Sequence, residues 1–142
     1  KSKFGFMDIS SINWLAVLLS TLVFYGLGAF WYAPPVFGKA WMKAIGKDKD
    51  NVKQDVNMIK IFITTFVLTL IMVVNLAFFI SGPSVGAGEG ALYGFLTGFG
   101  WVAMSIALTA LYEQRSFTYI LINSGYLTVG FTVVGLILGA WK

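Results

Sequence analysis

Long uncharged runs dominate the pattern of hydrophobic and polar positions along this chain. Between Ile61 and Ile80, twenty residues pass without a charge, and fourteen of them are Leu, Ile, Val or Phe. Each such residue contributes roughly −0.3 to −0.6 kcal/mol on insertion scales, so this run favours the bilayer by about 4 to 8 kcal/mol. Three threonines and Asn75 do not cancel that sum. Three more runs of the same kind predict a membrane protein.

The apolar runs predict four membrane spans, at residues 12–32, 60–81, 91–112 and 117–141. Each is close to the ~20 residues that a helix needs to cross the hydrocarbon. Backbone groups in lipid must be paired within the segment, which favours helices, and the alternating polarity of a β-barrel is missing. The predicted fold class is therefore all-α, a transmembrane four-helix bundle in one domain over residues 1–142. Met7 looks like a start position, so residues 1–6 are interpreted as a vector-derived remnant or an alternative start.

The segment between the first two spans predicts a short basic amphipathic helix. Pro34 and Pro35 end the first span, because proline lacks the N–H donor and clashes with the preceding turn. Apolar side chains then recur every four residues, and lysines occupy the other face. The favoured interpretation is a helix in the headgroup region. Its alternative is a loop helix packed on the bundle. The predicted interfacial anchors are Trp31, Tyr32, Phe37, Lys39, Trp41 and Lys43.

The distribution of basic residues predicts the orientation of the spans. Seven basic residues lie in the first and third connections, at Lys39, Lys43, Lys47, Lys49, Lys53, Lys60 and Arg115, against three at the termini. By the positive-inside rule, loops 33–59 and 113–116 are cytoplasmic and both termini lie outside. The predicted location is the bacterial cytoplasmic (inner) membrane, with several passes.

Small residues form two stripes at helical spacing. One comprises Gly90, Gly94 and Gly98, and the other comprises Ser124, Thr128, Thr132, Gly135 and Gly139. Lipid gives no hydrophobic drive for helix association, so close backbone approach must replace it, and both stripes are predicted to pack on other helices. Whether the neighbour belongs to the same chain is left open. The glycine-rich run at residues 86–90 lacks the strand and partner residues of a phosphate loop and is interpreted as a flexible turn.

The amino-acid composition limits the kinds of catalytic and metal-binding site that the chain can form. The chain is 58% hydrophobic and 11% charged, with no cysteine and no histidine, which removes the usual metal ligands, thiol nucleophiles and the commonest general base. We therefore predict no catalytic residues, no metal site and no cofactor. The net charge of +4 indicates attraction to a membrane surface and not nucleic-acid binding. Asp48, Asp50 and Asp55 are interspersed with lysines and are interpreted as a solvated run.

Few polar side chains lie inside the spans. Asn75, Asn123 and Tyr126 are the candidates to line a polar cavity, although interhelical hydrogen bonds explain the asparagines equally well. Trp101 and Tyr126 are interpreted as packing within the bundle, and lining a ligand cavity is the alternative. Glu113 and Arg115 form either a surface ion pair or, alternatively, a site in which Glu113 turns inward as a functional carboxylate.

Several short motifs carry a family resemblance. They are Asn13-Trp14, residues 28–34 (GAFWYAP), residues 37–42 (FGKAWM), residues 123–126 (NSGY) and residues 139–141 (GAW). With them the chain resembles the bacterial membrane family of unknown function numbered 1761, over Met7 to Lys142. The resemblance implies a small four-helix inner-membrane protein and supplies no catalytic residues. A second proline, Pro35, departs from the pattern.

The sequence leads to two hypotheses for the function of the protein. The sequence favours a non-enzymatic protein that associates with itself or serves as an accessory subunit of a larger membrane complex. Its partners would be membrane lipids and either a second copy or another membrane protein. The alternative is a transporter or channel for a small neutral or lipophilic solute. No acidic residue lies between Asp8 and Asp48, so coupling through a buried acid in the first span is disfavoured.

Overall fold

The computed structural model describes residue 10 and residues 12–46 and 57–142, and the regular elements in those residues are helices. The predicted all-α fold is therefore confirmed. Residues 1–6 and Lys47, Asp48, Lys49, Asp50, Lys53 and Asp55 lie outside the described residues. The helices are α1 (Trp14–Trp31), α2 (Lys39–Ala44), α3 (Met58–Ile80), α4 (Ala87–Thr97), α5 (Met104–Tyr112) and α6 (Phe117–Ala140). Two π-helical turns, Pro34–Gly38 and Gly98–Ala103, precede α2 and join α4 to α5.

Four helical segments are long and apolar enough to cross a membrane: α1, α3, the continuous α4–α5 segment Ala87–Tyr112, and α6. They match the four predicted spans. The third begins at Ala87 and not at 91, because the glycine-rich run forms its first turn. There the Glu89 carboxylate accepts a hydrogen bond from the N–H of Gly86 at 3.4 Å. The interpretation of that run as a flexible turn is wrong.

Local side-chain caps explain where three of these helices begin. Asn13, Asn57 and Ser116 stand immediately before α1, α3 and α6. The side-chain oxygen of each accepts a hydrogen bond from a backbone N–H of the first helical turn, at 3.1–3.2 Å. The first N–H groups of a helix have no partner within it, so each cap satisfies a donor that lipid cannot.

The two small-residue stripes face each other inside one chain, between α4 and α6. A Cβ added at Gly90 would lie 2.2 Å from the carbonyl oxygen of Gly135, and one added at Gly94 would lie 2.1 Å from that of Phe131. One at Gly139 would lie 2.2 Å from the carbonyl oxygen of Gly86. Backbone therefore touches backbone along this interface, which is the closest packing that two helices can reach.

Hydroxyl groups of α6 reinforce this contact at the π-helical turn of the third span. Ser124 and Thr128 donate hydrogen bonds to the carbonyl oxygens of Ala103 and Gly98, both at 3.4 Å, at the two ends of that turn. Thr132, the remaining hydroxyl of the stripe, bonds back to its own helix, to the carbonyl oxygen of Thr128 at 2.7 Å. A π-helical turn interrupts the regular i→i−4 backbone hydrogen bonds of the helix. Its carbonyl groups can therefore accept hydrogen bonds from donors on a neighbouring helix.

The interface between α1 and α6 follows a different rule, in which aromatic rings of one helix lie on glycines of the other. Phe24 covers Gly130, Trp31 covers Gly125, and Tyr126 of α6 covers Gly28 of α1. The buried Phe24 ring also meets Tyr126 edge-on at 5.3 Å. The helix α6 therefore packs against both α1 and α4, and it forms the centre of the bundle.

The bundle is packed tightly at one end and open at the other. Its buried core lies mainly at the end where α1 begins and α3 and α6 finish, and comprises Ile12, Ala16, Val17, Phe24, Val73, Leu76, Ala77, Ile80, Val85, Phe131, Val134 and Leu138. At that end Lys142 donates hydrogen bonds to the carbonyl oxygens of Ile80 and Gly82. At the opposite end, residues 58–68 of α3 are exposed apart from the half-buried Phe66. We call this second end the basic end, since Lys39, Lys43, Lys60 and Arg115 lie there.

The helix α2 lies against the basic end of the bundle with its lysines outward. The Phe37 ring is 4.8 Å from that of Trp31, and the Trp41 ring is 5.1 Å from that of Tyr32. Lys39 and Lys43 are exposed. The aromatic face that the sequence assigns to the headgroup region is thus in contact with the bundle, which is the alternative interpretation of this helix.

Candidate functional site

Two cavities open at the basic end, one on each side of the tyrosine pair Tyr32 and Tyr126, whose rings are 5.5 Å apart. Tyr32 donates a hydrogen bond to the Asn123 side-chain oxygen at 2.5 Å, and Tyr126 donates one to the carbonyl oxygen of Phe24 at 3.3 Å. Each phenol thus reaches from its own helix to the other. The pair joins α1 to α6 and forms a wall that both cavities share.

The first cavity, the Glu113 cavity, lies between the end of α1, α5 and the start of α6 and has a volume of about 300 Å³. Its polar lining combines phenols, a threonine hydroxyl, an amide and one carboxylate. Its apolar lining is aliphatic. The lining residues are Tyr32, Ile106, Thr109, Ala110, Glu113, Tyr119, Asn123, Tyr126 and Leu127.

The Glu113 carboxylate forms an ion pair at the edge of this cavity. Its Oε1 lies 3.2 Å from Nε of Arg115, and the Arg115 guanidinium carbon lies 5.3 Å from the centre of the Tyr119 ring. Both charged side chains are about half exposed. The surface ion pair that the sequence offers is therefore present, and Glu113 also lines the cavity, whereas its role as a functional carboxylate stays a prediction.

The second cavity, the Trp41 cavity, lies between α1, α2 and the splayed first half of α3 and has a volume of about 480 Å³. Its lining is apolar with a fringe of hydroxyl groups, and the described residues that line it carry no charge. They are Tyr25, Gly28, Ala29, Tyr32, Trp41, Met58, Ile61, Phe62, Thr65, Thr69 and Tyr126.

Tyr25 connects the open part of α3 to α1 across the Trp41 cavity. Its hydroxyl donates to the carbonyl oxygen of Phe62 at 2.9 Å and lies 3.1 Å from the Thr65 hydroxyl oxygen. Its ring meets Phe66 edge-on at 5.8 Å. Opposite, Trp41 has a buried Nε1 atom that finds no hydrogen-bond partner within the described residues.

The three residues predicted to line one polar cavity do not share one. Asn123 and Tyr126 line the Glu113 cavity together. Asn75 is exposed in the middle of α3, and its amide donates to the carbonyl oxygen of Ile71 in its own helix at 2.9 Å. Asn75 thus lies apart from the other two residues and lines a separate, mainly apolar space between α3 and the third span. The amide is satisfied locally, which a sequence pattern cannot distinguish from an interhelical bond.

The predicted interfacial anchors fall into two groups. Trp31 donates its indole N–H to the carbonyl oxygen of Ile122 at 2.9 Å, and Tyr32 bonds to Asn123, so both face α6. Phe37 and Trp41 lie against these two rings, whereas the lysines point outward. The contact of these side chains with lipid headgroups stays a prediction. Their contacts within the bundle are what the sequence missed.

The chemistry available at the basic end is hydrogen bonding and cation–π attraction. Within the residues that the structure describes, no group of three acidic, histidine or cysteine side chains is placed to hold a metal ion. Both cavities combine apolar walls with a few convergent polar groups, which is the usual composition of a small-molecule binding site.

A family model described as "Protein of unknown function (DUF1761)" matches residues 15–139, which is most of the chain. The match confirms the resemblance drawn from the short motifs at the ends of the first and last spans. No curated protein and no solved structure matches the chain.

Proposed function

From the premise that this chain belongs to the DUF1761 family of proteins of unknown function, we propose that it is a non-enzymatic membrane protein that takes up a small neutral or lipophilic solute. The solute would occupy the Trp41 cavity, and the protein would act as a transporter or carrier for it. One observation carries this proposal: the first half of α3 stands away from α1 at the basic end and leaves a space of about 480 Å³, and the described residues that line it carry no charge.

The lining of the Trp41 cavity favours a solute of that class. Its walls are aliphatic and aromatic, so they suit an apolar body. Hydroxyl groups of Tyr25, Thr65 and Thr69 suit a neutral polar end. The described lining residues offer no counterion to a charged solute, and burying an unpaired charge is unfavourable.

Filling the Trp41 cavity tests this function. We expect the protein extracted in mild detergent to carry a bound small molecule, seen as added mass in native mass spectrometry. Ala29→Phe places a ring in the cavity and should remove that mass. Leu22→Phe, an equal ring on the 53% exposed outer face of α1, should retain it. Equal added mass on both variants, or none on the unaltered protein, would contradict the proposal.

A second candidate is the role that the sequence favours, a self-associating bundle or an accessory subunit. The observation in its favour is the first half of α3, residues 58–68, which offers an apolar face that the described helices leave exposed. The glycine stripes no longer support it, because they pack on each other within the chain. The same mass spectra test it, since a dimer or a companion chain would appear as a discrete higher mass.

The proposed location is a bacterial inner membrane with the basic end in the cytoplasm. Lys39, Lys43 and Arg115 at that end support this orientation through the positive-inside rule. Because the chain has no cysteine, single introduced thiols report each side. In intact cells an impermeant maleimide should label Ser84→Cys, in the exposed loop after α3, and should leave Lys43→Cys unlabelled. The reverse pattern would invert the topology.

A further inference from the structure

We infer that the Glu113 cavity is a binding site for the ammonium group of an amphiphilic amine, and that Arg115 is its intramolecular competitor. This site is distinct from the Trp41 cavity and does not depend on the solute proposed for it. Tyr32 and Tyr126 separate the two cavities, and Glu113 lines the Glu113 cavity but not the Trp41 cavity.

The charge and the rings of the cavity select a cation. Glu113 is the one charged residue among those that line it, and three tyrosines surround the same space. A carboxylate attracts a cation directly, and the faces of tyrosine rings attract it through their quadrupoles. The Glu113 carboxylate would repel an anion, and the described lining residues include no lysine or arginine to attract one.

Arg115 demonstrates that a cation fits these groups. Its guanidinium uses the carboxylate of Glu113, at 3.2 Å, and the ring of Tyr119, at 5.3 Å, in one position. Both charged side chains are about half exposed, and exposed ion pairs of this kind contribute only about 0–1 kcal/mol. A ligand ammonium would therefore displace Arg115 from Glu113 at little cost.

The apolar lining residues indicate which uncharged portion of the ligand fits beside its ammonium group. Ile106, Ala110 and Leu127 lie in the same cavity as the carboxylate, so they suit the alkyl portion of the amine. The volume of about 300 Å³ is at the lower limit for ligand sites, which favours a short alkylammonium group. That group belongs either to a free amphiphilic amine or to the ammonium headgroup of a lipid.

Binding of octyltrimethylammonium to the full chain in maltoside micelles, measured by isothermal titration calorimetry, tests the inference. Glu113→Gln should weaken binding about threefold, because it removes the charged, half-exposed partner of the ammonium. Arg115→Gln should strengthen it about threefold, since the competitor is lost. Glu89→Gln is the matched control, at the other end of the molecule, where glutamine preserves the helix cap.

The two variants move in opposite directions only if the inference holds. Wild-type affinity in Glu113→Gln, or weaker binding in Arg115→Gln, would overturn it. Repeating the titration in nanodiscs of phosphatidylcholine identifies the source of the ammonium: reduced apparent affinity means that the lipid headgroup occupies the site, and unchanged affinity means a free amine.

The neutral analogue of octyltrimethylammonium, with carbon in place of nitrogen, should bind equally to the unaltered protein and to Glu113→Gln. A difference of about threefold for this analogue would also overturn the inference.

Discussion

Gly94→Ala is expected to destabilise the protein by about 3 kcal/mol, although it adds one methyl group. The new Cβ would lie 2.1 Å from the carbonyl oxygen of Phe131 and 3.1 Å from the Cα of Thr132. Both are backbone atoms of α6 and do not rotate away as a side chain would. The two helices must therefore separate along the whole stripe, and contacts at Gly90 and Gly135 are lost with the one at Gly94.

Gly100→Ala is the matched control for that substitution, in the same span. A Cβ at Gly100 meets nothing within 4 Å, and alanine is favoured over glycine in a helix by about 1 kcal/mol. Unfolding by increasing fractions of dodecyl sulfate in maltoside micelles, followed by tryptophan fluorescence, should show Gly94→Ala shifted to lower dodecyl sulfate and Gly100→Ala unchanged or higher. Equal shifts would mean that α4 and α6 do not pack as described.

Phe24→Ala is expected to cost about 3 kcal/mol of unfolding free energy. The Phe24 ring is almost fully buried, covers Gly130 and meets Phe131 edge-on at 5.7 Å. In lipid the transfer from water contributes little, so the loss comes from dispersion contacts and from the cavity left against a glycine that cannot fill it. The aromatic contacts with Tyr126 and Phe131 disappear as well.

The outer face of the same helix provides the control. Phe30 is 62% exposed, and Phe30→Ala removes an equal ring that touches little of the bundle. The dodecyl sulfate titration should therefore place Phe30→Ala within about 0.5 kcal/mol of the unaltered protein. A large effect at Phe30, or a negligible one at Phe24, would contradict the interface between α1 and α6.

The four spans were predictable because crossing a bilayer is a local requirement on each segment: length and low charge suffice. The stripes at Gly90 and Gly135 were also visible, since small residues at helical spacing mark close approach. Their partner was not visible, because a stripe does not state which helix covers it. The aromatic–glycine interface escaped for a related reason: Gly125 and Gly130 lie five residues apart and form no stripe.

Position along a span is a poor guide to the contacts of two aromatic residues. Trp101 lies deep in the third span, where packing within the bundle is the favoured interpretation, yet it is 70% exposed and lines a space between α3 and the third span, as the alternative has it. Trp31 lies at a span end, where tryptophan is common at membrane interfaces, yet its indole N–H bonds to α6. Depth along a helix axis is encoded in the sequence, but the angle around that axis depends on neighbours. Asn123 and Tyr126 are cavity candidates in the sequence, but that Tyr32 and Tyr119 line the same cavity was not predictable, for the same reason.

The central place of α6 has a consequence for biogenesis. Ribosomes deliver α1, α3 and α4–α5 to the translocon before α6, and it is α6 that covers the bare backbone at Gly90 and Gly94. Before α6 emerges, α1 and α3 can pair through Tyr25, whereas the third segment lacks the helix that covers its glycines. A chain halted by a stalling peptide before residue 117 would therefore be inserted but incompletely assembled, and exposed to quality-control proteolysis.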